Sequence, residues 1–400
     1  MKKRLHNNII LAIEQILQEV IERNRYGDRI LEQVFKNNKQ WGARDRKLIA
    51  SATYDLIRWW RRYEYAAQLI RDKSLFRKAI SAYLLLQDEY ELPQWLLFND
   101  LNYNTLKERY YDDTLPLPVK ASIPDWLHEI GSKELGKSWE TEINALNDQA
   151  KLILRVNTLK TNKSQLMEYL KQSEIDCFGI DGYPDALCIS KRLNVFQTEL
   201  FKEGLFEVQD ASSQLVAPFL EVTPGMRVID ACAGGGGKTL HLAALMQNRG
   251  KIISMDIEEH KLNELTKRSR RNGAYIIETR IINSTKVIKR LRDTADRILL
   301  DVPCSGLGVL RRNPDAKWKL DQAFIEDVKQ KQRDILESYS NMVKTNGKMV
   351  YATCSILPSE NELQIQSFLE SHKDFVLEEE HIIRPSSGYD GFYMARMKRL

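Results

Sequence analysis

Two hydrophobic rhythms divide the chain. From Asn7 to about Tyr110 apolar residues recur every three or four positions. Ile9, Ile13, Ile16, Leu17, Val20 and Ile21 share one face, and Leu48, Ile49, Ala52, Leu56 and Ile57 repeat the pattern. That period predicts amphipathic helices, broken at Tyr26-Gly27-Asp28 and Trp41-Gly42-Ala43. Leu115-Pro116-Leu117-Pro118 and Pro124 read as a linker, followed by a short helix from Pro124 and another through Trp139 to Leu146. From Lys151 the texture mixes. Strands are expected at Leu152–Val156 and Asp185–Ile189 with a helix from Asn162 to Leu170 between them, a small α+β unit. From Met226 onward short apolar runs alternate with helical stretches. Strands are expected at Arg227–Asp230, Lys251–Met255, Arg280–Ile282, Arg297–Asp301 and Lys348–Ala352. Such alternation predicts an α/β fold, a mostly parallel sheet covered by helices on both faces.

The bulk numbers narrow the class. A chain of 400 residues with 43% hydrophobic and 29% charged residues is an ordinary globular composition, with room for about two or three domains. The net charge of +5 permits a polyanionic partner without requiring one. No apolar run is long enough to span a bilayer, and the basic amino terminus leads into an amphipathic helix rather than a signal-peptide core. The five cysteines are widely spaced, with no Cys-x-x-Cys, so neither a disulfide framework nor a zinc cluster is expected. A cytoplasmic, reduced, metal-free monomer is the economical expectation.

Candidate chemistry begins at a glycine-rich strand-to-helix turn: Asp230-Ala231-Cys232-Ala233-Gly234-Gly235-Gly236-Gly237-Lys238-Thr239. Such a turn brings backbone N–H groups and a helix start close to a ligand. A second strand ends near Asp256, whose carboxylate suits the two hydroxyls of a ribose. Two phosphate-binding patterns fail on one position each. The P-loop needs glycine where Cys232 stands, and the dinucleotide pattern needs glycine where Thr239 stands. S-adenosylmethionine, with ribose hydroxyls and an amino-acid end but no phosphate, fits better, and Lys238 is available for its carboxylate. A nucleotide hydrolase using Gly237-Lys238-Thr239 and Asp301 remains the second reading. Two further cysteines follow strand-like runs, Cys304 in Asp301-Val302-Pro303-Cys304 and Cys354 in Tyr351-Ala352-Thr353-Cys354, at the sheet edge where α/β proteins bind ligands.

Pro303-Cys304 and Thr353-Cys354 together resemble the Sun/RsmB-type (NOL/NOP/Sun) RNA cytosine-5 methyltransferases. So do Gly306-Leu307-Gly308 through Arg311-Arg312-Asn313-Pro314-Asp315, Lys317-Trp318, Cys354-Ser355 through Glu360-Asn361-Glu362, and Asp390-Gly391-Phe392-Tyr393. Leu154-Arg155-Val156-Asn157-Thr158 and Val208-Gln209-Asp210-Ala211-Ser212 resemble the smaller unit that precedes that core, so the likeness spans about residues 150–400. It implies a Rossmann-like S-adenosylmethionine-dependent methyltransferase domain at 223–400 and a small α+β RNA-binding unit at 150–222. A NusB-like helical domain at 1–145 is implied by the stretch Trp41-Gly42-Ala43-Arg44 through Arg58. It further implies that Cys354 is the nucleophile, that Cys304 assists release, and that Asp301 contacts the cytosine and the cofactor. The cofactor set it implies is Cys232, Ala233, Gly234, Gly235, Gly236, Gly237, Lys238, Asp256, Lys261, Asn283 and Asp301. Gly235 stands where the family usually has proline, which suggests a more flexible turn, and Asn283 stands where it has an acidic residue.

The chemistry accounts for these residue types. Carbon 5 of cytosine is a weak nucleophile, and a thiolate adding to carbon 6 makes it enamine-like. The target base must be unpaired or flipped from its stack. For RNA contact, Arg155, Arg311 and Arg312 are the named candidates. Arg58-Trp59-Trp60-Arg61-Arg62-Tyr63, Lys317-Trp318-Lys319 and Lys267-Arg268-Ser269-Arg270-Arg271 add basic and aromatic groups, though a solvated helix face with core tryptophans explains the first of these equally well. The resemblance, with its NusB-like amino-terminal stretch, implies small-subunit ribosomal RNA as the preferred substrate, with tRNA as the other. A catalytically inactive RNA-binding or ribosome-assembly protein on the same fold is the non-enzymatic alternative.

Overall fold

A computed structural model describes residues 3–191 and 193–400, so Met1 and Lys2 of the basic start lie outside it. The chain divides into two compact units. One takes in the chain up to Asp148 together with Leu310–Gln322, and the other holds Gln149–Val309 and Ala323–Leu400.

The first unit is helical. Asn7–Ile21, Gly27–Asn37 and Ala43–Arg58 are helices separated at the two expected breaks. Their apolar stripes, including Ile13, Ile16, Leu17, Leu56 and Ile57, are buried in one core with Trp60 and Tyr63. The expected linker at Leu115–Pro118 is instead part of this unit. Leu115 and Pro118 are buried, and Pro118 sits in the first turn of a short helix, Leu117–Lys120, where its missing N–H costs no hydrogen bond.

Residues 310–322 complete this unit by supplying helix ends. The last carbonyls of a helix lack intrahelical donors. Trp318 Nε1 donates to Ile57 O at 2.7 Å and Lys317 Nζ to Arg58 O at 2.7 Å, both at the end of Ala43–Arg58. Arg311 Nη2 donates to Ala145 O at 2.8 Å, near the end of Trp139–Leu146. At the opposite helix pole, Asp315 accepts from Gly27 N at 3.0 Å, at the start of Gly27–Asn37. Arg311 at a carboxyl end and Asp315 at an amino end also suit the helix dipoles, whereas burial and the nearby Arg58 push the Lys317 amine well below its ordinary range.

The second unit carries two sheets. The smaller has four antiparallel strands in the order Cys177–Ile180, Tyr183–Ile189, Leu152–Val156, Phe206–Val208, with a helix at Lys163–Gln172. The larger has seven, in the order Phe375–Ile383, Phe392–Arg399, Val343–Thr353, Ala295–Asp301, Arg227–Asp230, Lys251–Asp256, Ile277–Ile281. Its last five run parallel, while the first two pair antiparallel as the closing hairpin. This is the Rossmann-like arrangement expected. The strand expected at Arg280–Ile282 lies earlier, at Ile277–Ile281. Cys177–Ile180 and Phe206–Val208 had no strand signal of their own; they are four and three residues long.

Candidate active site

The strands Ala295–Asp301 and Val343–Thr353 pair in parallel with Asp301 opposite Ala352. Each cysteine follows its strand at nearly the same height, which brings Cys304 Sγ to 3.3 Å from Cys354 Sγ, both as free thiols. The hydrogen bond with Cys354 pushes the Cys304 thiol well above its ordinary range, and burial and the charges of Cys354 and Glu360 add to the effect. The loop after Cys304 is held close to the one after Cys354. Gly308 N donates to Cys354 O at 2.9 Å and Gly391 N to Gly308 O at 2.8 Å. A Cβ on Gly308 would stand 2.2 Å from Gly391 O and 2.7 Å from Cys354 O, so only glycine fits.

Asp301, at the carboxyl end of its strand, pairs with Lys238 at 2.6 Å. Lys238 belongs to the helix Gly237–Leu245 that opens after the glycine turn. Thr239, next on that helix, donates its hydroxyl to Asp230 at 2.5 Å. Burial pushes the Asp230 carboxyl up to about 7 despite that bond. The lysine and threonine that a P-loop would turn toward phosphate and metal are thus both engaged with carboxylates.

The turn itself packs against the next strand. Ala233 N donates to Met255 O at 2.9 Å, and Gly234 N to Asp256 Oδ2 at 2.9 Å. Gly236 adopts φ +85°, and a Cβ there would meet Leu265 at 2.5 Å. At Gly234 a Cβ would meet nothing within 4 Å, so the turn faces open space there. Cys232 is half-buried at the start of the turn, and burial followed by the charges of Asp230, Asp301 and Asp256 keeps it a thiol. Two guanidiniums hold the glycine carbonyls. Arg268 donates to Gly235 O at 2.6 Å and Arg155 to Gly237 O at 2.6 Å. An open glycine turn beside a ribose-type carboxylate, without phosphate-ready side chains, fits S-adenosylmethionine. Lys261 pairs with Glu258 at 2.5 Å, and Asn283 is exposed just beyond Ile277–Ile281.

The basic residues assigned to RNA are placed differently. Arg155 is buried, bonded to Gln209 and Gly237 O, and Arg311 is buried on Ala145 O; neither side chain is open to a polyanion. Arg312 is half-buried in the helical unit. The Arg58–Tyr63 cluster is likewise internal. Arg61 donates to Ile123 O, Arg62 to Tyr110 O, and Trp60 and Tyr63 are core. Arg268 and Arg271 pair with buried Glu207, while Lys267 and Arg270 are exposed. Sequence reasoning gave no separate role to Ser305, Gln332, Ser355 or Glu360, although they underlie the thiols. Their signal was present in the serine that follows each cysteine.

A family described as 16S rRNA methyltransferase RsmB/F matches residues 217–398. A ferredoxin-like domain of RsmF/B-like methyltransferases matches 123–196. The "Probable ribosomal RNA small subunit methyltransferase B" of Synechocystis is 34% identical over 307 residues, 72% of this chain and 69% of that protein. The protein of the same description from Bacillus subtilis is 33% identical over 66% of this chain and 59% of its own length. Across eight such relatives the chain spans 58–69% of their length. Among solved structures, that of PH0851 superposes with a TM-score of 0.83 at 25% identity, covering 99% of this chain and 100% of the other. A methyltransferase homologue from Pyrococcus horikoshii gives 0.63 at 26% identity over 71% of this chain and 98% of its own. The chain belongs to the RsmB/F family of 16S rRNA methyltransferases.

Proposed function

We propose that this protein transfers a methyl group from S-adenosylmethionine to carbon 5 of a cytosine in RNA, with small-subunit ribosomal RNA as the preferred substrate. The observation that carries the reading is the thiol pair, Cys304 and Cys354 at 3.3 Å, at the carboxyl ends of adjacent parallel strands beside Asp301. S-adenosylmethionine, held by residues 232–238, Asp256 and Asp301, supplies an electrophilic methyl group when bound. Cys354 adds as thiolate to carbon 6, which raises the electron density at carbon 5. Asp301, paired with Lys238, contacts the ring nitrogen 3 or the amino group and stabilises the adduct. After methylation a base takes the proton from carbon 5, the carbon–sulfur bond breaks, the 5,6 double bond returns, and Cys354 leaves. Cys304, which holds its proton, assists that departure.

RNA docking is supported by a cavity of about 560 Å³ in the helical unit, lined by Arg4, Arg44, Lys47 and the half-buried Tyr90, with Asp45 and Glu89 among them. Its arginines and lysine can fix phosphates, and Tyr90 offers a ring for stacking.

The test is transfer of labelled methyl to under-modified ribosomal RNA by the wild type, Cys354→Ala and Cys304→Ala. Label on cytosine carbon 5 that disappears with Cys354→Ala is expected, together with a covalent RNA–protein adduct that accumulates with Cys304→Ala. Full transfer by Cys354→Ala would sink the mechanism.

A further inference from the structure

Glu360 is fully buried, and its carboxylate lies beneath both thiol loops. Oε1 accepts the hydroxyls of Ser305 and Ser355, each at 2.5 Å. Oε2 accepts Ser305 N at 2.8 Å and Gln332 Nε2 at 3.0 Å. Ser305 follows Cys304, and Ser355 follows Cys354. The Gln332 amide also donates to Pro303 O at 3.0 Å, so Cys304 is gripped on both sides. The neighbouring Asn361 does the same for Cys354, accepting Thr353 Oγ1 at 2.5 Å and donating to Ser355 O at 3.2 Å. Tyr351 fixes the backbone of Glu360 from below through its hydroxyl, 2.6 Å from Glu360 O. A buried carboxylate with four donors is well satisfied, and removing any one of its partners leaves an expensive unpaired group.

We infer that Glu360 is a positioning residue for the thiol pair: it clasps the serine after each cysteine and thereby sets how closely Cys304 and Cys354 approach. The inference rests on the proposed roles of the two thiols. Neither strand could fix this distance alone, because both cysteines lie past the last paired residues. The clasp ties the two loops to one atom, Oε1, so a shift in one loop is transmitted to the other. Glu360 also acts through its charge, one of the influences that keep the Cys304 proton in place. Holding reacting groups within tenths of an ångström is where such a network matters, since small misplacements cost large factors in rate.

Two variants separate the geometric from the electrostatic part. Glu360→Gln keeps the shape, removes the charge and puts a donor or a weaker acceptor where two hydroxyls must be received. Ser305→Ala with Ser355→Ala opens the clasp and keeps the charge. The readouts are methyl-transfer kcat and KM, calorimetric cofactor binding, and alkylation of each cysteine by iodoacetamide against pH, resolved by peptide mass spectrometry. For Glu360→Gln, kcat should fall about tenfold or more with RNA KM nearly unchanged. The alkylation midpoint of Cys304 should move to lower pH and cofactor binding should persist. The double serine variant should lose kcat similarly while the Cys304 midpoint moves less, and it carries the test if Glu360→Gln fails to fold. Wild-type kcat together with a wild-type Cys304 profile in a folded variant overturns the clasp. Loss of kcat without any change in either thiol's alkylation also overturns it. Failure of the functional reading looks different: Cys354→Ala would keep its activity while Glu360→Gln still moved the Cys304 profile.

Discussion

Residues 301–309 and 310–322 are consecutive and carry equally conspicuous motifs, yet they work at different levels of the molecule. The first stretch presents Asp301 and Cys304 at the carboxyl end of a parallel strand, one beside Lys238 and the other beside Cys354. In the second, Arg311, Lys317 and Trp318 satisfy helix-end carbonyls inside the helical unit. Both follow from the same rule, that buried polar groups find partners. In the first stretch the partners are the side chains of Lys238 and Cys354, and in the second they are backbone carbonyls. A run of arginine and lysine near a catalytic motif is thus no guide to where the phosphates lie.

The strongest test of that contrast is Trp318→Ala. Trp318 packs against the core of the helical unit and caps Ile57 O, so its loss combines a packing defect with an orphaned carbonyl. A destabilisation of about 3–4 kcal/mol is expected from denaturant unfolding. A change under about 1 kcal/mol would return this segment to the surface and reopen an RNA-binding role.

On the catalytic side, the buried titratable groups flank the glycine turn, and the contrast there is between two opposite slopes. Burial and the nearby Arg155 push the His241 imidazole down to about 4 from 6.5. The unfolded chain therefore binds a proton first, and stability present above pH 6.5 is lost as pH falls toward 4, about 3 kcal/mol in full. Asp230 runs the other way. Its folded carboxyl holds a proton up to about 7, whereas the unfolded one releases it near 3.8, so stability falls as pH rises between those values. Across pH 4–6.5 the two slopes oppose each other. His241→Gln should make stability decline with rising pH over that window, and Asp230→Asn should make it climb. Urea midpoints at four pH values would show this, and parallel profiles for both variants would discard the assignment.

A smaller effect sharpens the division between buried and exposed cations. Lys317→Met keeps the volume but leaves Arg58 O and Asn147 Oδ1 without their donor, for a cost of about 2 kcal/mol. Its RNA affinity should keep the wild-type salt dependence. Arg44→Ala with Lys47→Ala should do the reverse, leaving the melting temperature in place and reducing the slope of log affinity against log salt by up to about two. Equal slopes in both proteins would remove the cavity from RNA docking.

These contrasts explain what the sequence could disclose. Four of the five parallel strands were legible because each is a short apolar run ending in a small or acidic residue; Ile277–Ile281, with Glu278, Thr279 and Arg280 inside it, was expected further along, at Arg280–Ile282. The thiol pair was legible because two matching motifs sit at two matching strand ends. The helix-capping role of 310–322 was not, since it depends on carbonyls of Ala145, Ile57 and Arg58, far away in sequence. The same holds for Arg155, whose partner is the carbonyl of Gly237. Local pattern reports which side chains are polar, while long-range packing decides what they meet.

The least perturbing test concerns the glycine turn, where Gly235 in place of the family's usual proline suggested flexibility. Gly236 needs its φ of +85° and its clearance from Leu265, so Gly236→Ala should be costly, by about 1–3 kcal/mol. Gly235 has no such requirement. A Cβ there would stand 3.2 Å from Arg268 Nη1, the far end of a flexible side chain that already holds Gly235 O. Gly235→Ala should therefore be neutral or stabilising by about 0.4–1 kcal/mol, because it removes freedom from the unfolded chain. Cofactor affinity by calorimetry should stay within about twofold. If Gly235→Ala instead costs as much as Gly236→Ala, Arg268 cannot yield, and the turn is held by the Glu207–Arg268 pair as tightly as by its own backbone.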